Sequence, residues 1–562
     1  MFPNETGTSP RCINAVASAL RWHTFSIAKE SGFGPSPIYF PGINFAKQES
    51  NSASSISTLS LMMVGNAQGC KMKKRLVEMY WEAATAAPDK IALLTENSQM
   101  SNSDLLGLAH VLDMQLSSRG VSEGDTVALT TSRSELCIAF ALVVSLRSLT
   151  GLFCSARDLL GSGIEFDWAL TTAPVADLPD DKQLLIEADW FSLIGTGALP
   201  DYRNLGKGRG RIVTTTSGTT GNRKFVSIPE AEKLRDMIEM DWHDRDEFKY
   251  IRLLSTSSPI TGWALNKYLP ALLWGGTVVA LSEHINRSPQ YIDLYGVTHL
   301  STTPAHLLNL LDVPNAGQYL TSLREIEVAG AYAPPQLLSR ISELCPKAKI
   351  ETAYGATEVG ALVRADYETL KTAEPGYLGE IFRKDTDLEI LQEDSMVVGD
   401  NATGVLAVTL PGDHGRRYLG DHPDDDQTIG FTETHFLTGD LVRRDGNSIY
   451  FEGRTKNVLN LNANKYSLDQ VGRVLTSAFT DTEFVPIAYV SDEGIEQLGI
   501  FCAGAKPVSL AAVNSVLTGK WPLLSATSLW QVEAIPHTST GKADVQQLID
   551  SKNLVLPVRQ PT

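Results

Sequence analysis

Between about residues 90 and 353 the chain alternates short β-branched runs with longer helical ones, and that alternation constrains its fold more than any other feature. "IALLT", "DTVALTT", "RIVTTT", "YIRLLS", "TVVALS", "REIEVAG" and "AKIETAYG" read as strands, with helical runs such as "SELCIAFALVVSLRS" and "PEAEKLRDMIEMDW" between them. Such a pattern predicts largely parallel sheets covered by helices, with ligand sites at the loops beyond the strand ends. A chain of 562 residues is too long for one core, so two to four domains are expected. From about 376 to 453 the texture becomes mainly β, with "GVLAVTL" and "NSIYFEG" its clearest strands. A third unit follows "EGRTK", with "SLDQVGRVLTSAF" as a helix and "FVPIAYV" and "LGIFCAG" as strands. The expected architecture is α/β multidomain. A large N-terminal domain holds mostly parallel sheets and a β-rich subdomain, and a small mobile α+β domain closes the chain.

Residues 1–71 differ from the rest: they are rich in Ser, Asn, Gly and Pro, show no sustained period, and form an atypical extension that is a candidate for disorder. At Met72 the texture changes to an amphipathic helix, a Pro-Asp turn and a strand. Acidic residues outnumber basic ones by 65 to 48, for a net charge of −17. That field does not attract nucleic acid or an anionic membrane surface, which argues against both as partners. The six cysteines, Cys12, Cys70, Cys137, Cys154, Cys345 and Cys502, form no CxxC pair and no metal-ligand spacing. They read as reduced thiols of a cytoplasmic protein. No run reaches the ~18 apolar residues of a membrane span, and "LSLMMVG" lacks the basic flank of an export signal.

One segment stands out chemically: "TTTSGTTGNRKFV", residues 214–226. It is rich in hydroxyls, carries two Gly and a Lys, and offers little to a core. Glycine loses much backbone freedom on folding, so a loop like this is costly unless its N–H groups hold something. Free N–H groups, hydroxyls and an ammonium are the parts of a phosphate cradle. The segment matches neither GxxxxGK[ST] nor GxGxxG. It belongs to an ordered series with "AYGATEVG", "LTGDL", "EGRTKN" and "PHTSTGKADVQQL". This series, spanning about 72–550, resembles the AMP-forming adenylate-forming superfamily: acyl- and aryl-CoA synthetases, peptide-synthetase adenylation domains and beetle luciferases.

The resemblance implies a large domain over 72–455, with its β-rich part at about 376–455, and a small domain over 456–562 after a hinge at Lys456. Thr216, Ser217, Gly218, Thr219, Thr220, Gly221 and Lys224 would orient the β- and γ-phosphates of ATP. Gly330, Ala331 and Tyr332 would lie beside adenine, with Tyr354 stacked on it and Gly355 and Ala356 in the same nucleotide-binding turn. Thr357 would touch the α-phosphate and Glu358 would hold Mg²⁺, a hard cation that takes oxygen ligands. Asp440, helped by Arg454, would bind the ribose hydroxyls, and Lys542 would be the catalytic lysine. The His- and Asp-bearing stretch "GDHGRRYLGDHPDDDQ", 412–427, reads as a solvated acidic surface loop rather than a metal site.

Four positions depart from the family pattern. Arg223 stands where Pro precedes the loop lysine, and "SSPITGWAL" has neither the pocket-entrance His nor the Asp that binds an α-amine. Ala463 replaces a Gly near the thiol channel, and Val545 a basic residue after the catalytic lysine. The implied function is ATP-dependent activation of a small-molecule carboxylic acid, followed by transfer to a thiol. The small residues of "SSPITGWAL" and "ATEVGAL" suggest a mainly apolar acid. The thiol is coenzyme A or, as the alternative, the pantetheine arm of a separate carrier protein. A luciferase-like oxygenase and a non-catalytic nucleotide-binding relative are the remaining alternatives.

Overall fold

The structure, a computed structural model, describes residues 74–552 and 554, apart from 197–198, 204, 206–208, 217–223, 240–249, 283–287, 332, 334, 384–385, 393–394, 398–401, 413, 421–428, 456, 462–463, 492–495 and 539–541. Two large sheets share one apolar core. The helix Ser134–Arg147 explains why they face each other. It is apolar on every side and buried from Ser134 to Ser145, so it must be enclosed. The core joins its Phe140 to Leu93, Leu253 and Val278 of one sheet and to Val127, Phe153 and Ile212 of the other. Each such side chain contributes about 1.5–3 kcal/mol on leaving water. At the helix end Ser148 takes a left-handed conformation (φ 58°) and turns the chain into the strand Thr150–Phe153.

The first sheet is continuous but changes character half-way. Ile91–Leu94, Thr277–Val279, Arg252–Ser255, His299–Thr302, Glu325–Ala329 and Lys349–Ala356 are parallel neighbours in that spatial order. Gly360–Asp366 then pairs antiparallel to Lys349–Ala356, with a register break at Tyr354/Gly355. Antiparallel strands follow outwards from there, through Tyr377–Ile381, Ser448–Arg454, His435–Asp445 and Ala402–Thr409. The antiparallel part thus begins at Gly360, ahead of the boundary expected near 376. A tight turn at 357–359 makes the switch. Gly360 has φ +81°, and a Cβ on Gly355 would overlap the Gly360 carbonyl oxygen.

In the second sheet, Arg211–Thr215, Thr150–Phe153, Thr126–Leu129, Trp168–Thr171 and Gln183–Leu185 run parallel. Arg211–Thr215 also pairs antiparallel with Phe225–Pro229, the two strands that flank the polar segment 216–224. Arg417–Leu419 leaves the β-rich region and adds an edge strand beside Phe225–Pro229.

The last unit has its own core around Leu459, Val471, Leu475 and Ile500. It contains the hairpin Val458–Leu461/Asn464–Ser467, the helix Leu468–Ala478 and a three-stranded sheet of Thr482–Val490, Glu496–Gly504 and Ser528–Gln531. Ser467 caps the helix, its Oγ accepting from the Gln470 N–H at 3.2 Å. No described helix is long and apolar enough to cross a membrane.

Candidate active site

Two carboxylates, Asp440 and Glu358, lie within electrostatic reach of the Lys542 ammonium. Asp440 and Arg454 are cross-strand partners on His435–Asp445 and Ser448–Arg454. Arg454 Nε donates to Asp440 Oδ1 at 2.9 Å, and the Tyr354 hydroxyl donates to Oδ2 at 2.6 Å. Burial first, and then the Asp440 charge, hold the Tyr354 phenol well above its ordinary range, so it stays a donor. The Asp440 charge likewise raises Arg454.

Glu358 sits in the turn where the first sheet changes direction and is 8% exposed. The Tyr418 hydroxyl donates to its Oε1 at 2.8 Å, and Arg416 Nη1 donates to its backbone oxygen at 2.7 Å. Arg416 is buried and fixed in turn by Glu232 (2.7 Å) and Asp236 (2.9 Å) of the helix Glu230–Glu239; Arg383 also donates to Asp236. Burial pushes the Glu358 carboxyl above its ordinary value, opposed by the Tyr418 hydrogen bond and then by the Lys224 and Lys542 charges. Lys224 lies over the Tyr418 ring, 4.8 Å from its centre. Beside this group Lys233 is buried and drawn down to about 8, chiefly by desolvation.

Lys542 comes from the last unit. Its carbonyl accepts from the Thr538 N–H at 2.7 Å. Burial first and Arg454 second lower its ammonium to about 8, while Asp440, Glu358 and Asp469 pull the other way. A cation from the small unit therefore lies within electrostatic reach of both carboxylates of the large one.

The remaining expected residues fall around this centre. Thr216 and Lys224 bond each other at the ends of the paired strands: the Thr216 N–H donates to the Lys224 carbonyl at 2.8 Å, and the Lys224 N–H donates to Thr216 Oγ1 at 3.2 Å. Thr357 lies against Gly262, where a Cβ would come within 3.5 Å of its methyl and 2.9 Å of Thr214 Oγ1. Gly330 (φ +85°) and Ala331 follow the strand Glu325–Ala329 and are exposed, as is Gly355, while Ala356 is half-buried. Ser217, Gly218, Thr219, Thr220, Gly221, Arg223, Tyr332, Lys456 and Ala463 lie outside the described residues.

The reading of 412–427 as a solvated loop is corrected at two positions. Arg416 is 6% exposed, and Tyr418 bonds Glu358. Pairing of Arg417–Leu419 with Phe225–Pro229 turns both inward. Sequence reasoning also missed Glu232, Lys233, Asp236 and Arg383. The only local signal was the "GRRYLG" core of a stretch dominated by its acidic tail.

No group of three or more His, Cys, Asp or Glu side chains among the described residues could form a metal cage. Mg²⁺ needs none here: it is commonly held by one or two carboxylates together with substrate phosphates and water. A buried Glu358, fixed on one oxygen and placed beside the loop lysine, fits that donor set.

Residues 200–415 match the family model described as AMP-binding enzyme. Malpinin synthetase of Mortierella alpina is 25% identical over 524 residues, covering 84% of this chain and 7% of that protein. The D-alanine--D-alanyl carrier protein ligase of Bacillus licheniformis is 23% identical over 366 residues, 59% of this chain and 69% of that one. The chain spans only 7–19% of the first three curated relatives it matches. Among solved structures, the anthranilate CoA ligase AuaEII in complex with anthranoyl-AMP superposes with a TM-score of 0.72 at 16% identity. It covers 87% of this chain and 99% of that one, a likeness of fold.

Proposed function

For this chain, a member of the AMP-forming adenylate-forming superfamily, we propose the activity of an AMP-forming acid–thiol ligase. The observation that supports the reading is the grouping of Glu358, bonded by Tyr418 under the Lys224 ammonium, with Asp440, bonded by Tyr354 and Arg454, and with Lys542 within electrostatic reach of both carboxylates. In the first half-reaction a carboxylate oxygen of the acid attacks the α-phosphorus of ATP. A new P–O bond forms, the α–β bridge breaks, and pyrophosphate leaves with its electron pair. Asp440, held by Tyr354 and Arg454, accepts from the ribose hydroxyls; Thr216 and Lys224 hold the outer phosphates. Mg²⁺ at Glu358 would neutralise phosphate charge. Lys542 stabilises the charge that gathers between carboxylate and α-phosphate, and no protein nucleophile is required.

In the second half-reaction a thiolate attacks the acyl carbon, a thioester forms and AMP leaves. Rotation of the small unit about Lys456 would admit the thiol, a hinge motion of a known kind. The thiol belongs to pantetheine. Coenzyme A is the acceptor we favour; a carrier-protein arm is the alternative, supported by relatives such as the D-alanyl carrier protein ligase. The test is pyrophosphate release over a panel of carboxylic acids, with coenzyme A or a pantetheinylated carrier supplied in separate arms. Acid-dependent release is expected, followed by thioester in the coenzyme A arm. Thioester in the carrier arm alone reassigns the acceptor. ATP binding without release on any acid overturns the activity.

A further inference from the structure

Resting on the reading of Glu358 as the metal-holding carboxylate, we propose that Tyr418 is a positioning residue that sets the Glu358 side chain for the Mg²⁺–nucleotide and couples it to the phosphate-loop hairpin. A buried carboxylate on a tight turn can rotate about its last bonds. A donor fixed on Oε1 selects one orientation of the plane and so directs the other oxygen. Tyr418 supplies that donor at 2.8 Å. Its backbone is itself located by strand pairing, Tyr418 lying opposite Val226 in the hairpin arm that follows Lys224. The same ring carries the Lys224 ammonium on its face, 4.8 Å from the centre. One side chain thus touches the two groups that would meet the phosphates and the metal.

The main chain of the Glu358 turn is anchored by the residues just before the strand Arg417–Leu419. Arg416, two residues before Tyr418, spreads its guanidinium over the Glu358 carbonyl, Glu232 and Asp236, while the Gly415 N–H donates to Glu232 at 2.8 Å. A planar fork can serve three acceptors in fixed directions, which an ammonium cannot. The edge strand Arg417–Leu419 therefore acts as a brace: if the hairpin shifts, the carboxylate shifts with it.

Tyr418→Phe isolates the hydroxyl, because it keeps the ring beneath Lys224. The measurement, on the full chain, is calorimetric binding of an ATP analogue with a methylene bridge between the α and β phosphorus, titrated over Mg²⁺. Tyr418→Phe is expected to need about tenfold more Mg²⁺ for half-maximal binding, the size of effect of losing a hydrogen bond to a charged group. The thermal midpoint without nucleotide should fall modestly, because a buried Glu358 oxygen loses its donor, so binding is measured well below that midpoint. Glu358→Gln should shift the Mg²⁺ requirement in the same direction, and the double variant should be no worse than Glu358→Gln alone, since both changes act at one carboxylate. Wild-type Mg²⁺ dependence in Tyr418→Phe, with Glu358→Gln weakened, overturns the positioning role alone. So does a double variant in which the two losses add. Unchanged Mg²⁺ dependence in Glu358→Gln overturns the metal reading of Glu358 and the proposal with it.

Discussion

Each site carboxylate is clamped from two sides, but by different means. Asp440 is held by neighbours in the same sheet: Arg454 is its cross-strand partner, fourteen residues on, and Tyr354 comes from a strand of that sheet. The Arg454 side chain remains 46% exposed. Glu358 is held by residues from another strand and another sheet, and behind it Arg416 is nearly closed from water against Glu232 and Asp236. Asp440 and Glu358 are themselves both buried; the difference lies in their arginines, for water can reach Arg454 and cannot reach Arg416, so the same arginine change should have different consequences.

The largest expected effect exploits that contrast. Arg416→Met leaves buried Glu232 without its guanidinium and Asp236 with Arg383 alone, and removing one partner of a buried charge pair typically costs about 3–5 kcal/mol. Arg454→Met, at a half-exposed pair, should cost well under half of that. Urea unfolding of both variants measures the difference; equal losses would erase the distinction between the two sides. Asp236 Oδ2 has no hydrogen-bond partner among the described atoms, so this cluster already carries an unrelieved polar group.

Next in size is Lys542, which faces both sides. Lys542→Ala should slow pyrophosphate release by about 10²–10³, or roughly 3–4 kcal/mol, the usual loss on removing one preorganised electrostatic donor. Thioester formation from synthetic acyl-adenylate should change little, because the proposed rotation would carry this residue away. Equal losses in both half-reactions, with the fold intact, would contradict the rotating-unit account.

A smaller effect follows from the lowered Lys542 ammonium. The cationic form is the useful one, and it predominates below about 8. Adenylation should therefore decline as pH rises through that value, by about tenfold per unit beyond it, whereas an ordinary lysine would hold its charge to about 10.4. Lys542→Arg keeps its charge over this range, so whatever activity that variant retains should lose the decline. Persistence of the decline would place it on another group.

The smallest change is expected on the open side. Asp440→Asn keeps the shape and the Tyr354 contact but removes the charge opposite Arg454. It should raise the KM for ATP several-fold to about tenfold, with stability and the saturated rate nearly unchanged. A collapse of stability instead would mean that the open side is as tightly braced as the closed one.

These outcomes bear on how much of the site was legible beforehand. The strands at 91–94, 126–129, 211–215, 252–255, 277–279, 325–329 and 349–356 follow from period and turn chemistry, both local properties. Asp440 and Arg454 entered only through the motifs "LTGDL" and "EGRTKN"; that they stand opposite each other on adjacent strands is a finding of the structure. Lys542 was legible only through its motif; its solitary lysine in a polar turn carries no chemistry until the units meet.

Arg416 and Tyr418 were not legible. Their partners lie 58 to 184 residues away, and their immediate neighbours are acidic and polar, which locally reads as solvated surface. The helix Glu230–Glu239 misleads in the same way: Glu232, Lys233 and Asp236 look like a water-facing stripe, yet all three are buried. Whether a charge faces water depends on which partners arrive to replace it, and those partners are delivered by strand pairing.

The amino-acid sequence alone determined the alternating α/β architecture and set out the polar segment at 214–226 and the motif residues proposed for nucleotide and metal. Repeat period, turn residues and motif spacing are written within a few positions of one another. Only the tertiary structure decided that Arg417–Leu419 would pair with Phe225–Pro229, and so turn two residues of an acidic stretch inward to hold Glu358. That decision rests on a sheet edge meeting a strand nearly two hundred residues earlier, where the burial of charge is settled by the whole fold and not by any local run.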